Sequence, residues 1–233
     1  MTDYKLRILT IFVTGDNLEE YVENITMFRD FMDKNYGDCE VDYACILSSD
    51  SFEPLEKIVS LKYKEVNPKR QLSKMCDFIT KYKDELTYDW FIKTRPEIQL
   101  NRAVDLSALS LNSIHARARE YRGPKRILFG NSVGGTGYNR GYKACKYSDK
   151  EELVVLDDQF YIFHRTVIEL GAFISFEIGD VTEWYIPDNN KQEHEWVHSN
   201  CWKSRNIHLN AIGIDILFER TSDIYAASGN LNC

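Results

Sequence analysis

The passage from Tyr88 to Leu100 constrains this chain more than any other. Trp90, Phe91 and Ile92 form an apolar run fit for a buried strand. It passes without a spacer into Lys93-Thr94-Arg95-Pro96-Glu97, where proline restricts the backbone and charge is concentrated. A buried strand ending in cations and a carboxylate suits an open α/β sheet, whose ligands sit in the crevice beyond the carboxyl ends of the strands. Lys93 and Arg95 fit a bound phosphate and Glu97 a metal ion. An exposed Arg-Glu pair is the plainer reading, and this stretch alone does not choose between them.

Composition narrows the class. The 233 residues are 43% hydrophobic and 13% aromatic, enough for one domain with a sizeable core and too apolar for a disordered chain. A formal net charge of -7 argues against a nucleic-acid partner, which leaves a basic footprint. The six cysteines (Cys39, Cys45, Cys76, Cys145, Cys201, Cys233) are scattered with no C-x-x-C pair, as in a reduced compartment. Met1 to Arg7 is polar and leads directly into a strand-like run, so no secretory leader is expected. No apolar stretch reaches the roughly 18 residues of a membrane span. The expected setting is the cytoplasm, where the Asn24-Ile25-Thr26 sequon stays unmodified.

Along the chain, Leu6 to Val13 reads as a strand ending at Thr14-Gly15-Asp16-Asn17. Leu18, Tyr21, Val22, Ile25, Phe28, Phe31 and Met32 then recur at helical spacing. Glu40 to Leu47 is a second strand, ending at Ser48-Ser49-Asp50-Ser51, and Leu61 to Val66 a short third. Asn67-Pro68 opens a helix with Leu72, Met75, Cys76, Ile79 and Tyr82 inward, which delivers the chain to the Trp90 strand. This order predicts an α/β domain with a mostly parallel sheet. Strands are expected at Leu109 to Ala116 and Arg126 to Phe129, bracketing the basic residues Arg117, Arg119, Arg122 and Lys125. The glycine-rich stretch Gly130 to Tyr142 reads as a long loop. It lacks the G-K-[ST] ending of a phosphate-binding P-loop. Leu153 to His164 is an apolar run with Asp157 and Asp158 in its middle. Arg165 to Phe176 is expected to be a helix with Val167, Ile168, Leu170, Phe173 and Ile174 inward; Lys191 to Arg205 is expected to be a more polar helix, followed by the apolar run Ile207 to Phe218. No repeat or linker divides the chain.

Thr14-Gly15 at one strand end, Asp50 at a second, Lys93-Thr94-Arg95-Pro96-Glu97 at another and the later Leu156-Asp157-Asp158-Gln159-Phe160-Tyr161 together resemble small GT-A-type glycosyltransferases. More narrowly, they resemble the group found in large algal viruses and bacterial surface-glycan clusters. The resemblance implies a single GT-A-like (Rossmann-like) domain over residues 1–233, with a mostly parallel central sheet flanked by helices. Residues 1–100 would bind a nucleotide-sugar and 101–233 the acceptor. It implies transfer of a hexose or pentose from a UDP- or GDP-sugar to a hydroxyl of a glycan or glycoprotein, in the host cytoplasm for a viral member. By the same geometry Thr14, Gly15, Asp50, Arg70, Lys74, Lys93 and Arg95 would contact the donor, and Tyr138, Trp184 and Trp196 the acceptor. The chain departs from the family in having no Asp-x-Asp near Arg95. Glu97 is the one acid there to hold Mn²⁺ or Mg²⁺, and metal dependence is left open. Inverting transfer needs a base for the acceptor hydroxyl, and Asp158 and Asp157 are the candidates. In a regular strand adjacent side chains point to opposite faces, so one of the two would face the cleft, with Asp158 preferred.

A separate motif points elsewhere. His194-Glu195-Trp196-Val197-His198 is an H-E-x-x-H, which on a helix sets two imidazoles on one face to bind zinc and leaves Glu195 to activate water. His208 or Glu219 would supply a third ligand. The polar stretch Asp188 to Gln192 before it is a poor match to a buried active-site helix. A zinc peptidase and a non-catalytic sugar-binding domain are the alternatives to the transferase.

Overall fold

The structure is a computed structural model that describes residues 4–15, 18–69, 71–121, 153–174, 202, 205–211 and 217–219. Its centre is β1 (Arg7–Val13), RILTIFV, in which every residue from Ile8 to Val13 is buried. A strand apolar on both faces needs cover on both, as in parallel sheets layered between helices. That cover comes from α1 (Val22–Asn35) and, further along, α3 (Gln71–Tyr82). On one side, Ile25, Phe28 and Met32 of α1 pack with Ile8, Phe12, Tyr43, Cys45, Leu47, Trp90 and Ile92. On the other, Met75, Cys76, Phe78 and Ile79 of α3 pack with Leu9, Ile11, Val13, Ala44, Ile46 and Phe91. Even and odd positions of each strand thus feed different cores, as period-2 geometry requires.

The remaining elements follow in order. They are β2 (Glu40–Leu47), α2 (Glu53–Glu56), β3 (Leu61–Val66), β4 (Trp90–Thr94), β5 (Ile98–Leu100), β6 (Ser113–Tyr121), β7 (Leu153–His164), α4 (Arg165–Glu169), β8 (His208–Ala211) and β9 (Leu217–Glu219). Seven strands form one sheet in the order β3-β2-β1-β4-β7-β6-β8, while β5 and β9 pair separately. β3, β2, β1 and β4 are parallel, β7 runs antiparallel to both β4 and β6, and β8 is parallel to β6. The fold is therefore the expected α/β architecture with a mostly parallel sheet, and that sheet draws strands from both halves of the chain.

Several expectations are corrected. The strand expected from Leu109 begins at Ser113, because Asp105 accepts the Ser107 amide (3.0 Å) and winds Leu106–Ala108 into a 3-10 turn ahead of it. The helix from Asn67-Pro68 starts at Gln71. Here the Asn67 side chain accepts the Lys69 amide (3.0 Å) and donates to Asp77 (2.8 Å), holding the turn outside the helix. The helix expected to reach Phe176 ends at Glu169, where Gly171 adopts φ +83°. Val167 and Phe173 are buried as expected, but Leu170 and Ile174 are 41% and 60% exposed. Val22 is also exposed, because a 3-10 turn at Glu19–Tyr21 precedes α1 and rotates it out of the helical stripe. The run from Ile207 to Phe218 contributes β8 and β9 to different sheets. The strand expected at 126–129, the glycine-rich stretch 130–142 and most of the helix expected at 191–205 lie outside the described residues.

Candidate functional site

The strand order reverses between β1 and β4: from β1 the chain builds outward through β2 and β3, then returns to place β4 on the other side. Such a switch point leaves a crevice at the carboxyl ends of the two strands, where open α/β sheets bind ligands. Phe12 is paired with Thr94, so Thr14-Gly15 and Arg95 emerge side by side at its mouth. Thr14 is buried and its amide donates to the Ile46 carbonyl (3.2 Å); Gly15 is exposed, and a Cβ there would meet nothing within 4 Å. Asp50 is exposed just past the end of β2, its carbonyl accepting the Phe52 amide (2.8 Å).

The β4 end is shaped by Pro96. The Ile98 amide donates to the Arg95 carbonyl (3.1 Å), closing a four-residue turn with proline in the second position that such turns favour. The turn folds Glu97 back onto Arg95, and the two form an ion pair. The Glu97 side chain is only 2% exposed and that of Arg95 28%. One edge of this pair is unfinished: Arg95 Nε and Glu97 Oε2 are both buried without a hydrogen-bond partner. Buried polar atoms are nearly always satisfied, so a donor and an acceptor left open at a switch point suit a ligand or ordered water. Glu97 Oε2 fits one ligand of a hard cation. Among the described residues no group of three His, Cys, Asp or Glu side chains converges, so phosphates and water would complete that ion's shell.

Two lysines of the expected donor site are committed to the protein. Lys93 is fully buried on the α3 side; its ammonium donates to Gln71 and lies 5.4 Å from the centre of the Tyr161 ring. Lys74, 3% exposed, donates to the Thr14 carbonyl (2.6 Å) and the Ser48 hydroxyl (2.9 Å). Sequence reading passed over Ser48, Gln71 and Tyr161. Gln71 stands one helical turn before Lys74, a spacing that marks a shared face, but no local signal reveals that the face meets strand ends.

Asp157 and Asp158 lie on β7, and the backbone register locates them. β4 and β7 pair as far as Lys93↔Tyr161; past that pair β7 continues through Phe160, Gln159, Asp158 and Asp157 beyond the carboxyl end of β4. On the other edge, Ala116 pairs with Tyr161 and Ala118 with Leu156, so residues 157–160 stand opposite Arg117 alone. Such an irregularity breaks the strict alternation on which the preference for one aspartate rested, and bulges are frequent beside active sites because they re-aim side chains.

Arg70, Tyr138, Trp184, Trp196 and the motif residues His194, Glu195 and His198 lie outside the described residues. Of the further zinc ligands considered, His208 opens β8 in the large sheet and Glu219 closes β9 in the small one. No helix among the described residues is long and apolar enough to cross a membrane.

No protein-family model matches the chain, and no curated protein matches it in sequence. Among solved structures it is similar to a glycosyltransferase involved in the glycosylation of the major capsid of PBCV-1, at 8% identity and a TM-score of 0.47, over 98% of this chain and 99% of that one. A likeness of that size carries no argument about activity.

Proposed function

We propose that this protein is a glycosyltransferase that moves a hexose or pentose from a UDP- or GDP-sugar to a hydroxyl of a glycan or glycoprotein, with inversion. The observation that carries the reading is that the Arg95-Glu97 turn follows β4 at the β1/β4 switch point, while β7, paired with β4 as far as Lys93↔Tyr161, continues past that pair into its irregular stretch. A nucleoside diphosphate needs a cation at the diphosphate and a site on backbone and small side chains for base and ribose. Arg95 would meet the diphosphate, with Arg70 and the buried charge of Lys93 beside it. Thr14, Gly15 and Asp50 would flank the base and ribose.

Asp158, or Asp157 next to it, would act as base. The acceptor oxygen attacks the anomeric carbon, the bond from that carbon to the diphosphate oxygen breaks, its electrons leave with the nucleoside diphosphate, and the hydroxyl proton passes to the aspartate. Mn²⁺ or Mg²⁺ held on the diphosphate by Glu97 would add charge neutralisation. Tyr138, Trp184 and Trp196 would form acceptor surfaces, in keeping with an acceptor-binding role for residues 101–233 and a donor-binding role for residues 1–100.

Thermal unfolding with UDP and GDP, each with and without Mn²⁺, tests the reading. A ligand at 100 times its Kd adds about 2.7 kcal/mol, which for a domain of this size raises Tm by roughly 5 °C or more. One nucleotide should give that shift, enlarged by Mn²⁺ in wild type and not in Glu97→Gln. No shift with either nucleotide would overturn the reading. Asp158→Ala should abolish transfer and leave nucleotide binding within about twofold; unchanged turnover would remove Asp158 from the mechanism.

A further inference from the structure

Lys74 sits on α3, and its ammonium is withdrawn almost completely from water. Burying an ammonium is costly unless its hydrogens find acceptors, and here two of its acceptors come from different strand ends. The Thr14 carbonyl, 2.6 Å away, directly follows β1, and the Ser48 hydroxyl, 2.9 Å away, directly follows β2. One turn earlier on the same helix, Gln71 accepts from Lys93 near the end of β4. The first turn of α3 therefore ties together the carboxyl ends of β1 and β4, which border the crevice, and of β2 beside β1. A leucine at position 74 could fill the same space but could not hold the β1 and β2 ends to one another.

We propose that Lys74 is a positioning residue: it clamps the ends of β1 and β2 at the crevice and so fixes the separation of Thr14-Gly15 and Ser48-Asp50, the two loops that flank a bound nucleoside. The role given to the loops rests on the reading above; the clamp itself does not. Lys74 acts on ligand through backbone geometry, while Arg95 meets the diphosphate directly. Loss of the clamp thus weakens recognition of the nucleoside part and spares recognition of phosphate.

The test uses the full chain, wild type and Lys74→Met, which keeps most of the side-chain volume. In hydrogen–deuterium exchange, peptides covering Thr14-Gly15 and Ser48–Ser51 should exchange about tenfold faster in K74M, with Ser113–Ala116 unchanged. Equal protection in the two proteins would overturn the clamp. In calorimetric titration, K74M should raise the Kd for UDP or GDP about tenfold and that for inorganic pyrophosphate less than about twofold. An equal loss for nucleotide and pyrophosphate would make Lys74 a phosphate ligand and overturn the positioning role. Ser48→Ala, which removes one acceptor and no charge, carries the same comparison if K74M does not fold. If wild type binds no nucleoside diphosphate, the functional reading fails while the exchange experiment still decides the clamp.

Discussion

Glu97 owes its environment to its neighbours in sequence: Pro96 sets the turn that carries it back to Arg95, and the buried pair leaves Oε2 and Arg95 Nε open. Removing one partner of a buried charge pair costs more than the pair contributes, because the remaining charge stays desolvated. Glu97→Gln, which keeps a hydrogen-bonding carbonyl, should lower stability by about 1–3 kcal/mol, and Arg95→Ala should lower it further. Urea unfolding of the two variants checks this order, and an R95A protein as stable as wild type would show that the pair is dispensable. A second residue-scale expectation concerns pH. Burial holds the pKa of His115 below its ordinary 6.5, opposed only in part by the hydrogen bond between its Nε2 and the Ser110 carbonyl at 3.0 Å. The unfolded chain then takes up the proton at higher pH than the folded one. The contribution is fully present above 6.5 and is lost as pH falls through the folded value. His164 is shifted downward too, chiefly by burial. The urea midpoint should therefore be lower near pH 5.5 than near pH 7.5, with a smaller difference in His115→Gln. An unchanged pH slope in that variant would exclude His115 as its source.

At the scale of elements, the sequence was most informative where period and punctuation agree. β2 and β3 occupy the residues expected of them, each ending at turn residues, Ser48-Ser49-Asp50-Ser51 and Asn67-Pro68, and the apolar run from Leu153 to His164 is β7. Helix ends were less legible. α4 stops seven residues before the expected Phe176, and the cause is Gly171 in the left-handed region, a conformation that glycine adopts without the penalty a Cβ brings. A Cβ at Gly171 would also lie 2.8 Å from Cδ1 of Ile174, an exposed side chain free to turn away. Gly171→Ala should therefore cost about 1–2 kcal/mol through the backbone alone. The same loss in a background carrying Ile174→Ala, measured by denaturant unfolding, would confirm that source; rescue by I174A would assign it to the clash instead.

For the molecule as a whole, residues 1–100 and 101–233 share one sheet, with β4 paired to β1 on one side and β7 on the other. Phe91 stacks on Phe163 with ring centres 5.0 Å apart, so the core is built from both stretches of the chain. Heat should accordingly unfold the chain in a single transition by circular dichroism, and a fragment of residues 1–100 should show no cooperative transition. A fragment that melts cooperatively would mean that β4 does not need β7. By itself the sequence determined the alternation of strands and helices over the first hundred residues, the burial of the β4 strand and the charged strand end at Lys93 to Glu97, because periodicity and turn chemistry are local. Only the tertiary structure decided that β4 lies beside β1, that β7 runs antiparallel and carries Asp157 and Asp158 past the end of β4, and that Lys93 and Lys74 face inward to Gln71, Thr14 and Ser48. Those outcomes depend on which strand ends meet across long stretches of chain, and the spacing of residues along one segment holds no record of that meeting.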